Sequence, residues 1–373
     1  MSYHIRPGRR LFATAAFVSS IAMIATVGLA QAASAGTSHS SGLATAEKAL
    51  APYTGHPSVF PVTQKLRKKP AAGTKIAYLE CGAPVCAQFA AALQAPMTAL
   101  RAKLTVISAG LFSSTVQSAA EAALALHPAA VLVAGTTLSE FGGTLQALEQ
   151  AGIPVFGIGV TGGQQYGLTA VSGGQSDDVK GGQLMADWVL VHKGTHANVV
   201  FFNAPELSFS PYMWTAFSAQ LKKICPTCKA SESDLSVLTY GSTAPSAVVS
   251  YLRANPSVNT AVFPSEEGAT GLPSALSEAG LSSITTFGFA PDSVNLADIK
   301  SGQLTGGLGL DYTTEVWQIS DIIAKTLTHQ KVPASEEGGV IEVLNKSNVT
   351  SYDVKNGWAG YPDVAKRFAA LWP

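Results

Sequence analysis

"VQSAAEAALALHPAAVLVAGTTLSEFGGTLQALEQAGIPVFGIGV", residues Val116 to Val160, carries two periods of one rhythm. A run with apolar residues at helical spacing ends at His127, and "AAVLVAG" follows with no polar residue. A second helical run containing "LSEFGGTLQALEQAG" leads into "IPVFGIGV". Strands that are apolar without alternation, each followed by a helix, belong to parallel sheets covered on both faces. Upstream, "KIAYLEC" precedes a helix over residues 85–103 and the strand "LTVISAG". Downstream, the short strand "LTAVSG" precedes the helix "VKGGQLMADWVLVHKG".

The rhythm then restarts with "ANVVFFNAP", a helix through Leu221, "ASESDLSVLTYG", the helix "APSAVVSYLRANP" and "NTAVFPSEE". It continues through "LPSALSEAG", "ITTFGFAP", "NLADIKSG" and "QLTGGLGLDY", and closes with the helix "TEVWQISDIIAKTLTHQ". The change between the two runs falls near Gly173 to Ser176. The pattern predicts an α/β protein of two doubly wound, Rossmann-like lobes. Ligands in such sheets bind beyond the carboxyl ends of the strands, so two facing lobes gather their loops around one cleft.

Residues 1–35 read as a signal peptide. Arg6, Arg9 and Arg10 precede the uncharged "LFATAAFVSSIAMIATVGLA", and "AQA" or "ASA" offers small residues for cleavage. A membrane anchor is the alternative, because the run is about long enough to span. "RRLF" resembles a twin-arginine signal, but no Lys follows it, and the export route stays open. With no cysteine near the cleavage region a lipoprotein anchor is not available, so the expected location is the periplasm or cell envelope. Residues 36–74, rich in Ser, Thr, Pro and Ala and containing "KLRKK", read as a linker or surface strap. Lys and Arg number 24, as do Asp and Glu, and losing the three N-terminal Arg leaves 21 against 24. That balance gives no reason to expect a nucleic acid partner.

Four cysteines form two local pairs, Cys81 with Cys86 and Cys225 with Cys228. In a reducing compartment such pairs suggest metal ligands or a reactive thiol; in an oxidising one they suggest staples. "CPTC" has redox-like spacing, but it follows a helix ending near Lys223, whereas a low-pKa thiol needs a helix N-terminus. Export favours two disulfides. "GIGVTG" (Gly157 to Gly162) spells a dinucleotide fingerprint with Asp177 twenty residues on, yet five residues before "LTAVSG" leave no room for the helix it needs. His192 and His196 are separated by the helix-ending Gly194 and share no face. The sequence thus predicts no catalytic residues, no metal site and no cofactor.

The Val116 to Val160 stretch resembles the ribose/galactose-type (type 1) periplasmic sugar-binding proteins. "SDDVKGGQLMADWV", "NPSVNTAVFPSEEGATGLPSALSEAG" and "ITTFGFAPDSVNLADIKSGQLTGGLGLD" follow the family order over about residues 75 to 350. The resemblance implies a three-segment hinge, with crossings near Gly174 to Asp177, Leu310 to Thr313 and Gln330 to Gly338. Lobe one would hold residues 75–175 and 313–330, lobe two 176–312 and 338–350, and residues 351–373 a C-terminal extension. It further implies a monomeric solute receptor that closes on a small molecule and delivers it to an ABC importer permease. A sensor presenting its ligand to a membrane signalling receptor is the alternative.

Several family contacts are missing. The aromatic stack after the first strand is replaced by Ala83, Pro84, Val85 and Cys86. Gly159 and Ala290 stand where the family has Asp, and the Arg of the first helix of lobe two falls at or near Met213. Carried over position by position, the expected ligand contacts are Cys81, Gly159, Ser176, Asp178, Tyr212, Glu266, Phe289 and Asp311. Asp177, Glu267 and Phe209 are further polar or aromatic candidates near them. A sugar, polyol, nucleoside, amine or small aromatic suits these residues, and a Cys81–Cys86 bridge would stiffen a loop without the usual aromatic packing.

Overall fold

A computed structural model describes residues 41–332 and 338–373. The signal-peptide reading and part of the third hinge crossing lie outside the described residues. Helix α1, over residues 41–50, is followed by an extended segment that leads to β1 (Lys75–Glu80). Then come α2 (Pro84–Ala99), β2 (Lys103–Ser108), α3 (Ser113–Ala125), β3 (Ala130–Ala134), α4 (Thr144–Gln150), β4 (Val155–Ile158) and β5 (Ala170–Ser172). These strands form one wholly parallel sheet in the order β2-β1-β3-β4-β5. The central β3 is buried at every residue, as its unbroken apolar run requires, while edge strand β2 is exposed or half-buried along its length. The run around "LSEFGG" is not one helix. It forms a 3₁₀ turn at Leu138–Phe141, and Gly142 (φ 53°) ends it before α4 starts.

The second unit contains α5 (Gln175–Lys193), β6 (Asn198–Asn203), α6 (Ser210–Ile224), β7 (Lys229–Asp234), α7 (Ala244–Ala254) and β8 (Thr260–Phe263). It continues with α8 (Leu272–Glu278), β9 (Thr285–Phe289), α9 (Ser293–Ser301) and β10 (Gly306–Leu310). After α10 (Tyr312–Leu327) come β11 (Ile341–Leu344), α11 (Ser351–Asn356) and α12 (Val364–Leu371). The sheet order is β11-β10-β9-β8-β6-β7, parallel except for the edge strand β11. The paired glycines of α5 have a packing role: a Cβ at Gly182 would lie 2.3 Å from the Met213 carbonyl oxygen of α6. The sequence-predicted pair of doubly wound units is therefore present, and no helix of the described residues is long and apolar enough to cross a membrane.

Helix α10 returns to the first sheet and packs on α2, β4 and β5. The segments on either side of the two sheets pack against them. Ala46 and Leu50 of α1 join the second unit's core beside Leu184 and Ile224. Val62 and Leu66 are buried with Phe368 and Trp372, and the Leu66 N–H donates to the Leu371 carbonyl at 3.0 Å. Gln330 clasps the same strap, accepting from the Arg67 N–H and donating to the Lys65 carbonyl. On α10 a fully buried Lys325 pairs with Asp321 at 2.7 Å, and the Trp372 indole donates to the same carboxylate at 2.6 Å. The C-terminal helix is thus a side wall of the first unit.

Both expected cysteine pairs, Cys81–Cys86 and Cys225–Cys228, are bonded. Titration of the denatured, unreduced protein with a thiol reagent should find no free thiol; two per chain would show that a bridge is absent in solution.

Candidate functional site

The carboxyl ends of the two sheets face each other across a narrow cavity of about 60 Å³. From the first unit come Gly135 after β3, Gly159 after β4 and Gly173 after β5. Val85 and Phe89 reach it from α2, and Tyr312 and Glu315 from the first turn of α10. From the second unit come Phe209, Pro264 and Ser265, then Phe289 at the end of β9 and Ala290 after it, with Asp177 and Asp178 from the first turn of α5. Leu310, Gly339 and Ile341, at the later crossings, complete the wall. One water centre needs at least ~10–15 Å³, so the space suits a small solute.

The two units touch directly beside the cavity. Thr136 and Leu207 form an isolated antiparallel bridge, and the Ser208 N–H donates to the Gly135 carbonyl at 3.2 Å. The Thr161 hydroxyl donates to the Ser208 carbonyl at 2.8 Å, and Gln88 reaches Glu267 at 3.4 Å. This is a closed arrangement.

Aromatic and acidic groups dominate the interior. Phe89 meets Tyr312 edge to face, with ring centroids 5.0 Å apart. Phe89 lies one helical turn beyond Val85, so α2 supplies an aromatic from the next turn where the family stack is missing. Glu315 is 1% exposed, and neither carboxylate oxygen has a hydrogen-bond partner. Asp178 is 4% exposed, with Oδ2 likewise unpartnered. Burial, then repulsion from Asp177, Asp178 and Asp311, pushes the Glu315 carboxyl up to about 8. Burial and then Asp177 push Asp178 up to about 8. Asp177 is raised by burial, opposed by the Gly339 N–H that donates to it. Glu267 is pushed up to about 7 by burial and then by Asp292. Among the described residues no group of three or more His, Cys, Asp or Glu side chains is arranged to hold a metal ion.

Of the eight contacts expected from sequence, Gly159, Asp178 and Phe289 line the cavity, and five do not. Cys81 lies behind the wall: its sulfur and that of Cys86 sit 3.4 Å from where a Gly135 Cβ would be, so the disulfide supports the Gly135 turn from below. Ser176 is exposed, because the turn of α5 that directs Asp177 and Asp178 inward directs Ser176 outward. Tyr212 is 39% exposed on α6, and Phe209, just ahead of that helix, takes the aromatic position. Glu266 is buried against the sheet: a Cβ at Gly307 would lie 2.1 Å from its Oε2, and Ser265 faces the cavity instead. Asp311 caps α10, accepting from the Thr314 N–H and hydroxyl and from the Tyr361 N–H. Sequence reasoning missed Phe89, Tyr312 and Glu315. The last two stand three residues apart at the start of α10, just after the second crossing that the sequence located.

This chain belongs to the periplasmic binding protein family: the family model described as periplasmic binding protein domain matches residues 81–331. Solved structures share the fold at low identity. A solute-binding protein of an ABC transporter from Agrobacterium vitis, with bound allitol, is 19% identical with a TM-score of 0.65, covering 77% of this chain and all of its own. A second from the same organism, bound with α-D-tagatopyranose, is 21% identical with a TM-score of 0.65, covering 76% of this chain and 99% of its own. The binding component of the arabinose ABC transporter from Shewanella sp. ANA-3, bound to L-arabinofuranose, is 15% identical with a TM-score of 0.67, covering 80% of this chain and 98% of its own. No curated protein matches the chain.

Proposed function

We propose that this protein is an extracytoplasmic solute receptor that captures one small molecule between its lobes and delivers it to an ABC importer permease. The observation that carries the reading is the cavity itself: both sheets contribute strand-end residues to its wall, and the units touch beside it. A ligand there contacts both sides, so it favours the closed arrangement by its differential affinity for that state. The similar solved proteins hold a polyol or sugars, which sets the size class of the ligand. The protein acts as an exported monomer, without a lipid anchor and without chemistry of its own on the ligand. Lobe one comprises residues 75–175 and 313–330, lobe two 176–312 and 338–350, and 351–373 are a C-terminal extension; the packing of α10 on α2, β4 and β5 supports this division.

Native mass spectrometry of the purified mature protein should show one small molecule bound per chain and released unaltered. At about a hundredfold over its dissociation constant, that molecule stabilises the fold by about 2.7 kcal/mol. Scattering should show a smaller radius of gyration with ligand than without. A ligand that is chemically converted, or that leaves the radius unchanged at saturation, contradicts the receptor reading.

A further inference from the structure

We propose that the ligand of this receptor is a small organic cation, an ammonium group on a compact apolar body. The proposal rests on the receptor reading above and adds the chemical class. It starts from Glu315, almost wholly buried, lining the cavity, with both oxygens unpartnered. Asp178 faces the same cavity from the other unit with Oδ2 unpartnered, and Asp177 lies beside it. Among the described residues no Lys, Arg or His contributes to the wall. A buried carboxylate without a partner is costly, and a cation placed between two of them restores the missing interaction. Both carboxylates lie in the first turns of long helices, where the aligned peptide dipoles favour the ionised form.

The rest of the wall argues against a sugar. A hexose carries hydroxyls around its whole rim and needs donors and acceptors on every side. Here the polar side chains of the wall are those of Glu315, Asp177, Asp178, Ser265 and Tyr312, none of them an amide or a cation, while Phe89, Phe209 and Phe289 supply aromatic surface. Ring faces attract alkylammonium groups, more strongly as they lose solvent. With no cluster among the described residues suited to a metal ion, the cation is organic. A bound ammonium group displaces the protons that burial holds on these carboxyls, whereas a neutral polyol would leave them protonated, and the test separates the two.

Thermal melting at pH 8 would compare choline, ethylamine and benzylamine with 3,3-dimethylbutan-1-ol, the uncharged isostere of choline, and with glycerol and arabinose. At least one ammonium compound is expected to raise the melting point by several degrees, and the uncharged isostere to leave it unchanged. Glu315→Gln and Asp178→Asn, tested separately so that a folding defect in one leaves the other informative, should each lose most of that response. Ammonium compounds that give no shift overturn the cation proposal. If glycerol or arabinose then raises the melting point, the receptor reading stands with a neutral ligand. If the purified protein neither carries a small molecule nor contracts with any compound, the receptor reading falls too.

Discussion

Raising the pH from about 5 to about 8 is expected to destabilise the closed arrangement, and with it to lower the melting point of the protein prepared without a cation, by several degrees. In the closed fold without a cation, burial and then the charge of Asp177 push Glu315 and Asp178 up to about 8, with Asp178 and Asp311 adding to the shift at Glu315. Asp177 and Asp311 are raised in the same cluster, and Glu267, beside Tyr312, holds its proton to about pH 7. The unfolded chain releases these protons near pH 4, so between the two limits the folded state binds more protons. Stability is then fully present below the unfolded values and is lost as the pH rises through the folded ones. Each pKa unit corresponds to about 1.4 kcal/mol, so even partial, coupled titration amounts to a few kcal/mol. His192, lowered by burial, opposes this only below its ordinary range. Glu315→Gln should flatten the slope and raise the melting point at pH 8. A melting point that is level or rises across this range would show that the cavity carboxylates are not held protonated.

Asp321→Ala is expected to be the most damaging single change outside the lobe cores. It removes the partner of a fully buried Lys325 and the acceptor of the Trp372 indole together. Breaking a buried ion pair by removing one member costs about 3–5 kcal/mol, or roughly 5–10 °C in melting. The C-terminal helix should also become open to proteases, since Trp372 holds its end against Trp317 at 5.2 Å. A single variant that melts normally would mean that the pair does not hold the wall.

The two-unit architecture was legible because parallel strands buried on both faces leave apolar runs that need no alternation, as at "AAVLVAG". The polar edge strand β7 was legible only through its place in the rhythm. The site was less so. Whether Ser176 or Asp177 faces the cleft depends on the rotation of α5, and one residue turns a side chain by about 100°. Glu266 and Ser265 are adjacent in one turn, and which of them enters the cavity depends on Gly288 and Gly307 leaving a seat for the Glu266 side chain. Glu315 was hidden for another reason: an acid in the first turn of an apolar helix reads as a complement to the helix dipole. Its partners, Asp177 and Asp178, lie more than a hundred residues earlier. Cys81 was placed in the right loop but on its far side, where its sulfur sits under Gly135 and outside the cavity wall.

A crystal structure with the compound that gives the largest melting shift tests the central claim most directly. The account predicts one molecule between the sheets, its ammonium group within hydrogen-bond reach of Glu315 and Asp178 and its body against Phe89 and Phe289. A ligand bound elsewhere, or touching only one of the two units, would contradict it.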